Sequence, residues 1–156
     1  MIRYYLFIGI MLFSFTSLIF AQHNQKKSDL QKSIQEFSKS TTVEGGGWEI
    51  YGSFLHRDFT RWYVGTRVFD KETLVSSVKD WWEDGTRISK DSSKVIRLDI
   101  IGEIGIARIE RFENYIDANG AAAGSFHGFV TQLWIYEEDT WRLLSLDISP
   151  VPNEQE

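Results

Sequence analysis

The sequence contains no cysteine among its 156 residues. Disulfide bonds, thiolate metal sites and thiol nucleophiles are therefore excluded, and packing and hydrogen bonds alone must hold the fold. Positive charge is also scarce, because 17 lysines and arginines stand against 22 aspartates and glutamates. This balance disfavours a nucleic-acid partner, since affinity for a phosphate backbone comes from clustered basic side chains.

Motifs that hold cofactors or metals are missing as well. The glycine triplet Gly45-Gly46-Gly47 lacks the preceding strand and the following Lys-Ser/Thr pair of a phosphate-binding loop. The three histidines have no further histidines or carboxylates at the spacing of metal ligands. We therefore expect neither a metal nor a cofactor.

The first 21 residues have the composition of an export signal. Arg3 supplies a positive start, residues 4–20 form an uncharged apolar run, and Ala21 offers a small residue for cleavage. The alternative is a retained membrane anchor, for which the run has about the minimum length. We interpret residues 1–21 as a signal peptide, which predicts a periplasmic or secreted protein without a stable membrane anchor.

Three helices are predicted in the first half of the mature chain. After a flexible stretch at residues 22–27, Ser28 is the N-cap of the first helix. The second helix is predicted from about Trp48 to His56. The third begins after the N-cap Asp70 and stops near residue 84, because apolar residues recur along one face in between.

The second half of the chain is predicted to form strands. Apolar and polar residues alternate from Val95 onward, and turn signals such as Asn119-Gly120 separate the runs until Pro150. Helices followed by a strand meander are typical of the α+β class. The sequence therefore predicts one domain over residues 28–152, with helices packed on a strongly curved antiparallel sheet, and a tail at residues 153–156.

The last two predicted strands carry apolar residues on both faces. One apolar face packs against the helices. The other apolar face must also be shielded from water, and a second copy of the chain is the simplest way to shield it. We therefore expect a homodimer that forms through the convex face of the sheet.

The strand half also carries a family resemblance. The segments concerned are Ile100–Glu103, Tyr115–Gly120, Thr131–Trp134 and Thr140–Leu144. They resemble the sheet of nuclear transport factor 2-like (NTF2-like) proteins, and most closely the association domain of calcium/calmodulin-dependent protein kinase II and its SnoaL-like bacterial relatives. The resemblance implies a cone-shaped, cystatin-like fold with an apolar pocket inside.

The same resemblance implies one pocket residue. In the kinase association domain, an arginine four residues before the Tyr-Ile-Asp turn lines the pocket and can bind a carboxylate, and Arg111 occupies that position. Two further pocket arginines of that family correspond to Gln132 and Ile148, and a histidine near the end of the last strand is replaced by Asp147. The anion pocket that the resemblance implies is therefore incomplete.

Aromatic side chains are the other predicted lining of a pocket. The chain has six tryptophans, which suit an aromatic cavity, although ordinary core packing is an equally simple use of them. Beside Arg111 and Gln132, we predict Trp62, Trp82 and Trp134 as ligand-binding residues.

An acid–base enzyme is an alternative. An isomerase of the ketosteroid type needs a carboxylate base in an apolar pocket and donors for the developing oxyanion. Asp58, in a loop predicted after the second helix, is the best-placed carboxylate, and Tyr63 on the following short strand is its candidate partner. The simpler interpretation is that Asp58 caps the loop.

Three functions remain open at this point. The leading hypothesis is a secreted, homodimeric protein that binds a small, largely apolar molecule. The alternatives are a cofactor-independent isomerase or dehydratase that uses Asp58, and a purely structural oligomerisation domain.

Overall fold

The computed structural model describes residues 22–151. The predicted signal peptide, residues 1–21, and the predicted tail, residues 153–156, lie outside this range. The chain forms two compact units, Met1–Lys32 and Ser33–Glu156. None of the helices in the described range is long and apolar enough to cross a membrane.

Three helices and seven strands occupy the described range. The helices are α1 (residues 22–39), α2 (Trp48–Phe54) and α3 (Lys71–Glu83). The strands are β1 (Leu55–Tyr63), β2 (Thr66–Asp70), β3 (Arg87–Asp91), β4 (Lys94–Ile101), β5 (Ile104–Ile116), β6 (Ala122–Glu137) and β7 (Thr140–Pro150).

Helix α1 includes residues that were predicted to be flexible. Residues 22–27 are helical, so Ser28 lies inside the helix and is not its cap. Gln25 donates a hydrogen bond of 2.9 Å to Asp29, one helical turn further on. Such pairs stabilise a helix by about 0.2–0.5 kcal/mol, which favours continuing the helix through this polar stretch.

The largest difference from prediction lies at the junction of α2 and β1. The helix ends at Phe54 rather than near His56, and the strand then runs for nine residues. β1 lies parallel to β7, with Leu55 opposite Leu143 and Tyr63 opposite Ile148. The local pattern is helical, but packing against distant strand partners decides the conformation of such a segment.

Gly47 precedes α2 at a position that requires glycine. Its φ of 87° lies in the left-handed region, and a Cβ atom there would approach the Trp82 ring to 2.9 Å. Only glycine adopts this φ without a steric cost, and only glycine leaves room for the ring. The glycine triplet thus allows the chain between α1 and α2 to turn tightly beside α3.

Helix α3 agrees with the prediction at both ends. The Asp70 carboxylate caps it by accepting a hydrogen bond of 2.9 Å from the Thr73 amide, and this bond lowers the pKa of Asp70. Asp84 and Gly85 follow the last turn, and Gly85 has a φ of 83°. A helix with such local start and stop signals is the easiest element to find in a sequence.

The sheet has the strand order β2-β1-β7-β6-β5-β3, and β4 also pairs with β5. The antiparallel meander β4–β5–β6–β7 is confirmed, including the turn at Asn119-Gly120. The pairing of β1 with β7 is parallel, so the sheet is mixed rather than purely antiparallel. Strand β3 was not predicted, and it pairs with the second half of β5.

The core of the unit Ser33–Glu156 lies between the helices and one face of the sheet. Phe37 packs edge-on against Trp134 of β6, with ring centroids 6.0 Å apart, and contacts Tyr51 of α2 at 4.8 Å. Trp134 and Leu143 are completely buried. This arrangement confirms the α+β class, with helices packed on one face of the sheet.

Side chains along each strand alternate between two faces of the sheet. The face toward the helices, here called the inner face, carries Ile109 of β5, Val130 of β6 and Ile148 of β7 in one row, and all three are buried. The opposite side is the outer face. It carries the residues between them, including Arg108, Glu110, Phe129, Thr131 and Asp147.

Candidate ligand-binding site

A cavity of about 270 Å³ lies between α3 and the inner face of the sheet. Its volume is just below the roughly 300–1,000 Å³ of drug-sized pockets, so it suits a small ligand. The apolar part of the wall consists of Leu74, Val78, Trp81, Ile88, Phe126, Val130, Leu146 and Ile148. The polar part consists of Thr41, Tyr51, Arg61, Ser77, Arg111, Glu113 and Tyr115.

Strand β5 contributes three polar side chains to the cavity in a row. Arg111, Glu113 and Tyr115 stand at every second position, so alternation directs all three to the inner face. Glu113 Oε1 lies 2.5 Å from Arg111 Nη2, and the Tyr115 hydroxyl donates a hydrogen bond of 2.5 Å to Glu113 Oε2. The side chains of Arg111 and Glu113 are only 13% and 7% exposed. The row is therefore a buried ion pair extended by a phenol.

The charges of this row are stabilised mutually. Burial lowers the pKa of Arg111, but the attraction of Glu113, with a further contribution from Asp91, outweighs it, so the pKa is raised overall. Burial raises the pKa of Tyr51, and burial together with the negative charge of Glu113 raises that of Tyr115. Arg111 is therefore charged, and both phenols are protonated donors at neutral pH.

Arg61 is the second arginine of the cavity. It lies on β1 opposite Leu146, which shares the inner face, and its guanidinium carbon is 5.6 Å from the Phe69 ring centroid. The Nε atoms of Arg61 and Arg111 are both buried without a hydrogen-bond acceptor. Two arginines face a single glutamate in the lining, so the cavity has an excess of positive charge and of unused N–H donors.

Glu113 Oε1 also lacks an aligned hydrogen bond, although it is the atom that contacts Arg111. The contact is therefore an ion pair whose N–H directions are poorly matched to the carboxylate. A buried pair of this kind repays its desolvation only in part. This leaves the Arg111 donors available for a better-placed acceptor.

Solved structures with the same architecture are numerous, and three are representative. The first is a candidate calcium/calmodulin-dependent kinase II association domain from Exiguobacterium sibiricum, with a TM-score of 0.68 and 17% identity over 83% of this chain and 95% of that one. An NTF2-like superfamily protein from Salmonella enterica gives a TM-score of 0.65 and 14% identity over 85% and 95%. The chain has an NTF2-like fold.

The third structure is a ketosteroid isomerase-like protein from Erwinia carotovora atroseptica, with a TM-score of 0.66 and 9% identity over 83% of this chain and 99% of that one. No protein-family model matches the sequence, and no curated protein matches it significantly. At these identities the likeness concerns the NTF2-like fold, while the chemistry must be inferred from the cavity itself.

The NTF2-like cavity contains one of the predicted ligand-binding residues, Arg111. Ile148 also lines it, as part of the apolar wall where the resemblance would have an arginine. Gln132 and Trp134 do not line the cavity, because they lie deeper in the core. Both are at most 1% exposed, and the Trp134 indole N–H donates a hydrogen bond of 3.0 Å to Gln132 Oε1.

The other two predicted tryptophans also lie away from the cavity. Trp62 is opposite Asp147 in the β1–β7 pairing, which places it on the outer face, where it is 37% exposed. Trp82 is not part of the lining, and its ring is covered by the Arg87 guanidinium at 3.4 Å. Trp81, its neighbour on α3, is the tryptophan that lines the cavity.

The predicted catalytic pair is not brought into the cavity. Asp58 lies on β1 rather than in a loop, and its side chain is 74% exposed beside Arg57. Tyr63 is 43% exposed at the end of the same strand, and it does not contribute to the lining. Neither residue has the buried, apolar surroundings that a pocket base requires.

The polar cavity residues that the predicted site does not include are Thr41, Tyr51, Arg61, Ser77, Glu113 and Tyr115. The alternation of β5 already places Glu113 and Tyr115 on the face of Arg111, so these two could have been found from the sequence. Arg61 could not have been found in this way. The face on which its side chain lies depends on strand β1, most of which was predicted to be helix and loop. Among residues 22–151, no group of three or more Asp, Glu or His side chains could hold a metal ion.

Proposed function

We propose that this chain is an exported, homodimeric NTF2-like protein whose cavity binds a small, largely apolar molecule that carries one anionic group. The observation behind this proposal is a pair of arginines, Arg61 and Arg111, whose buried Nε donors lack acceptors in a cavity that is otherwise mostly apolar. Export is inferred from residues 1–21, which lie outside the described range.

The apolar body of the ligand is inferred from the wall of the cavity. Trp81 and Val78 of α3 face Val130, Leu146 and Ile148 of the sheet across the space. Transfer of an apolar group from water to such a wall is favourable by roughly 25 cal/mol per Å² of buried surface. An aromatic ring or a short branched chain would fill this part of the cavity.

The anionic group is inferred from charge and hydrogen-bond balance. Glu113 neutralises one arginine, and the second positive charge has no carboxylate partner among the lining residues. Buried donors without acceptors are costly, and a carboxylate offers several acceptor positions to planar guanidinium groups. Protonated Tyr51 adds a further donor in the same wall, whereas the Tyr115 hydroxyl already donates to Glu113.

We expect 3-phenylpropionate to raise the melting temperature of the protein in a concentration-dependent way, and the uncharged 3-phenylpropanamide to do so much less. Replacing Arg61 by methionine removes the unpaired charge but keeps an apolar side chain of similar length. This change should weaken binding of the acid by about tenfold or more, as measured by isothermal titration calorimetry.

Arg67→Met is the matched control, because Arg67 is exposed on the neighbouring strand β2 and does not line the cavity. It should leave the affinity for 3-phenylpropionate unchanged. Equal affinities for the acid and the amide, or full affinity in Arg61→Met, would contradict the anionic part of the proposal. An absence of binding by both compounds would contradict the apolar part as well.

A second candidate is a cofactor-independent isomerase or dehydratase. It is favoured by the buried Glu113–Tyr115 pair and by the fold shared with the ketosteroid isomerase-like protein. However, both oxygens of Glu113 are already engaged, one by Arg111 and one by Tyr115. A base held in this way is less available to a substrate proton, and we therefore prefer ligand binding.

The two candidates differ in a proton-exchange experiment. Levulinate combines a carboxylate with a ketone, and its protons next to the carbonyl exchange slowly in heavy water. We expect the protein to bind it without accelerating this exchange, as followed by NMR. Acceleration that disappears in Glu113→Gln would favour the enzyme.

A further inference from the structure

The loop between β5 and β6 is held together by Asp117. Its carbonyl oxygen accepts a hydrogen bond of 3.0 Å from the Gly120 amide, and its own amide donates one of 2.9 Å to the Ala121 carbonyl. Its side-chain Oδ1 accepts two more, from the Asn119 amide at 2.8 Å and from the Ala121 amide at 2.9 Å. Asp117 therefore binds every other residue of the loop except Ala118.

The backbone of this loop forms a type I turn that ends in a left-handed glycine. Gly120 has a φ of 79°, whereas the φ angles of Ala118 and Asn119 are not positive. Such a turn is a common connection between two antiparallel strands, and aspartate is favoured at its first position. Asn119 and Gly120 are both exposed. The Asn-Gly pair is thus presented to water at the end of the hairpin.

An asparagine that precedes a glycine can react with its own backbone. The Gly120 nitrogen attacks Cγ of the Asn119 side chain, a bond forms between these two atoms, and the side-chain amide leaves as ammonia with the proton of the Gly120 amide. Water then opens the cyclic imide at either carbonyl, which gives aspartate or isoaspartate. Glycine favours the attack because it has no Cβ atom to shield its nitrogen.

We propose that Asn119 is a site of slow spontaneous deamidation, and that the Asp117 carboxylate sets its rate. In the closed loop, the attacking Gly120 N–H is bonded to the Asp117 carbonyl. The N–H groups on either side of it, those of Asn119 and Ala121, are bonded to Asp117 Oδ1. The Gly120 nitrogen reaches Asn119 Cγ only when these bonds open, so the rate follows the population of the open loop.

The reaction alters a loop that supports the end of helix α3. A Cβ atom at Gly85, which follows the C-cap of α3, would approach the Ala118 Cβ to 2.5 Å, so the loop and the helix end are in direct contact. Either product adds a negative charge to this loop, and the C-terminal end of a helix disfavours negative charge. Isoaspartate also lengthens the backbone of the loop. By slowing the reaction, Asp117 preserves the contact between the loop and α3.

The test compares deamidation rates in the full chain, in two Asp117 variants and in a synthetic peptide of residues 115–123. Peptide mapping by mass spectrometry locates the mass gain that marks replacement of an amide by a carboxyl group. We expect the folded wild type to react about tenfold or more slowly than the peptide. Asp117→Ala should accelerate the reaction of the folded chain by about tenfold, because the loop loses two hydrogen bonds. Asp117→Asn keeps a side-chain acceptor and should stay within about threefold of the wild type.

Asn114 is the control within the same molecule. It is also exposed, but it precedes Tyr115 and is paired within β5, so it should show no mass gain. Hydrogen exchange of the Gly120 amide, followed by NMR, measures loop opening directly in each variant and should accelerate in Asp117→Ala in the same proportion. Equal rates in the folded chain and the peptide, or no acceleration in Asp117→Ala, would overturn the proposal. Asp117→Asn reacting as fast as Asp117→Ala would overturn the role of the carboxylate hydrogen bonds.

Discussion

Replacement of Trp134 by alanine should lower the free energy of unfolding by about 3–5 kcal/mol, measured by urea denaturation. The indole is completely buried, and it packs edge-on against Phe37 at 6.0 Å. The substitution creates a cavity, and it also leaves the Gln132 side-chain oxygen, buried in the core, without its donor. Typical domains have only about 5–15 kcal/mol of stability, so the variant is expected to be barely folded.

Trp62→Ala is the control for this prediction, because Trp62 loses the same number of atoms from an exposed position. Its indole N–H donates to the Thr60 hydroxyl at the surface, where water can replace it. We expect a change below about 1 kcal/mol. Similar losses at both positions would mean that Trp134 is not the packing anchor of the sheet.

Replacement of Arg111 by methionine is expected to cost about 3–5 kcal/mol of stability, because it leaves the buried Glu113 carboxylate without its ion-pair partner. The Glu113 side chain is only 7% exposed, so water cannot compensate fully. The same variant should lose detectable binding of 3-phenylpropionate, since one of the two guanidinium groups is gone. Chemical denaturation and calorimetry measure the two effects independently.

The double variant Arg111→Met/Glu113→Gln separates the charge from the packing. It removes both charges of the ion pair, and the glutamine at position 113 can still accept a hydrogen bond from the Tyr115 hydroxyl. We expect it to recover most of the lost stability but none of the binding of the acid. Equal instability of the single and double variants would show that Arg111 acts through its packing rather than through Glu113.

The parts of the fold that were predictable carry their signals within a few neighbouring residues. Helix α3 has an aspartate cap and a glycine stop, and the β5–β6 hairpin has Asn119-Gly120 between two alternating runs. These signals act through local backbone geometry, which a single sequence contains in full. The same is true of the Arg111–Glu113–Tyr115 row, whose common direction follows from alternation alone.

The part that could not be predicted depends on distant partners. The direction of Arg61 and Trp62 follows from the pairing of β1 with β7, which is invisible in the sequence near residue 61. Alternation shows that Arg61 and Trp62 point to opposite faces, but it does not show which of the two faces is the inner one. Trp62 was therefore assigned to the cavity and Arg61 was overlooked, although the structure places them the other way round.

The parallel pairing of β1 with β7 has a consequence for how the chain acquires its structure. The β1–β2 hairpin and the β4–β7 meander can each form from residues close in sequence, but Leu55 must wait for Leu143 before the two parts join. Closing so long a loop is entropically slow, and it cannot occur until the last strand has left the ribosome. A nascent chain of this design therefore leaves β1 without its parallel partner until β7 has been synthesised.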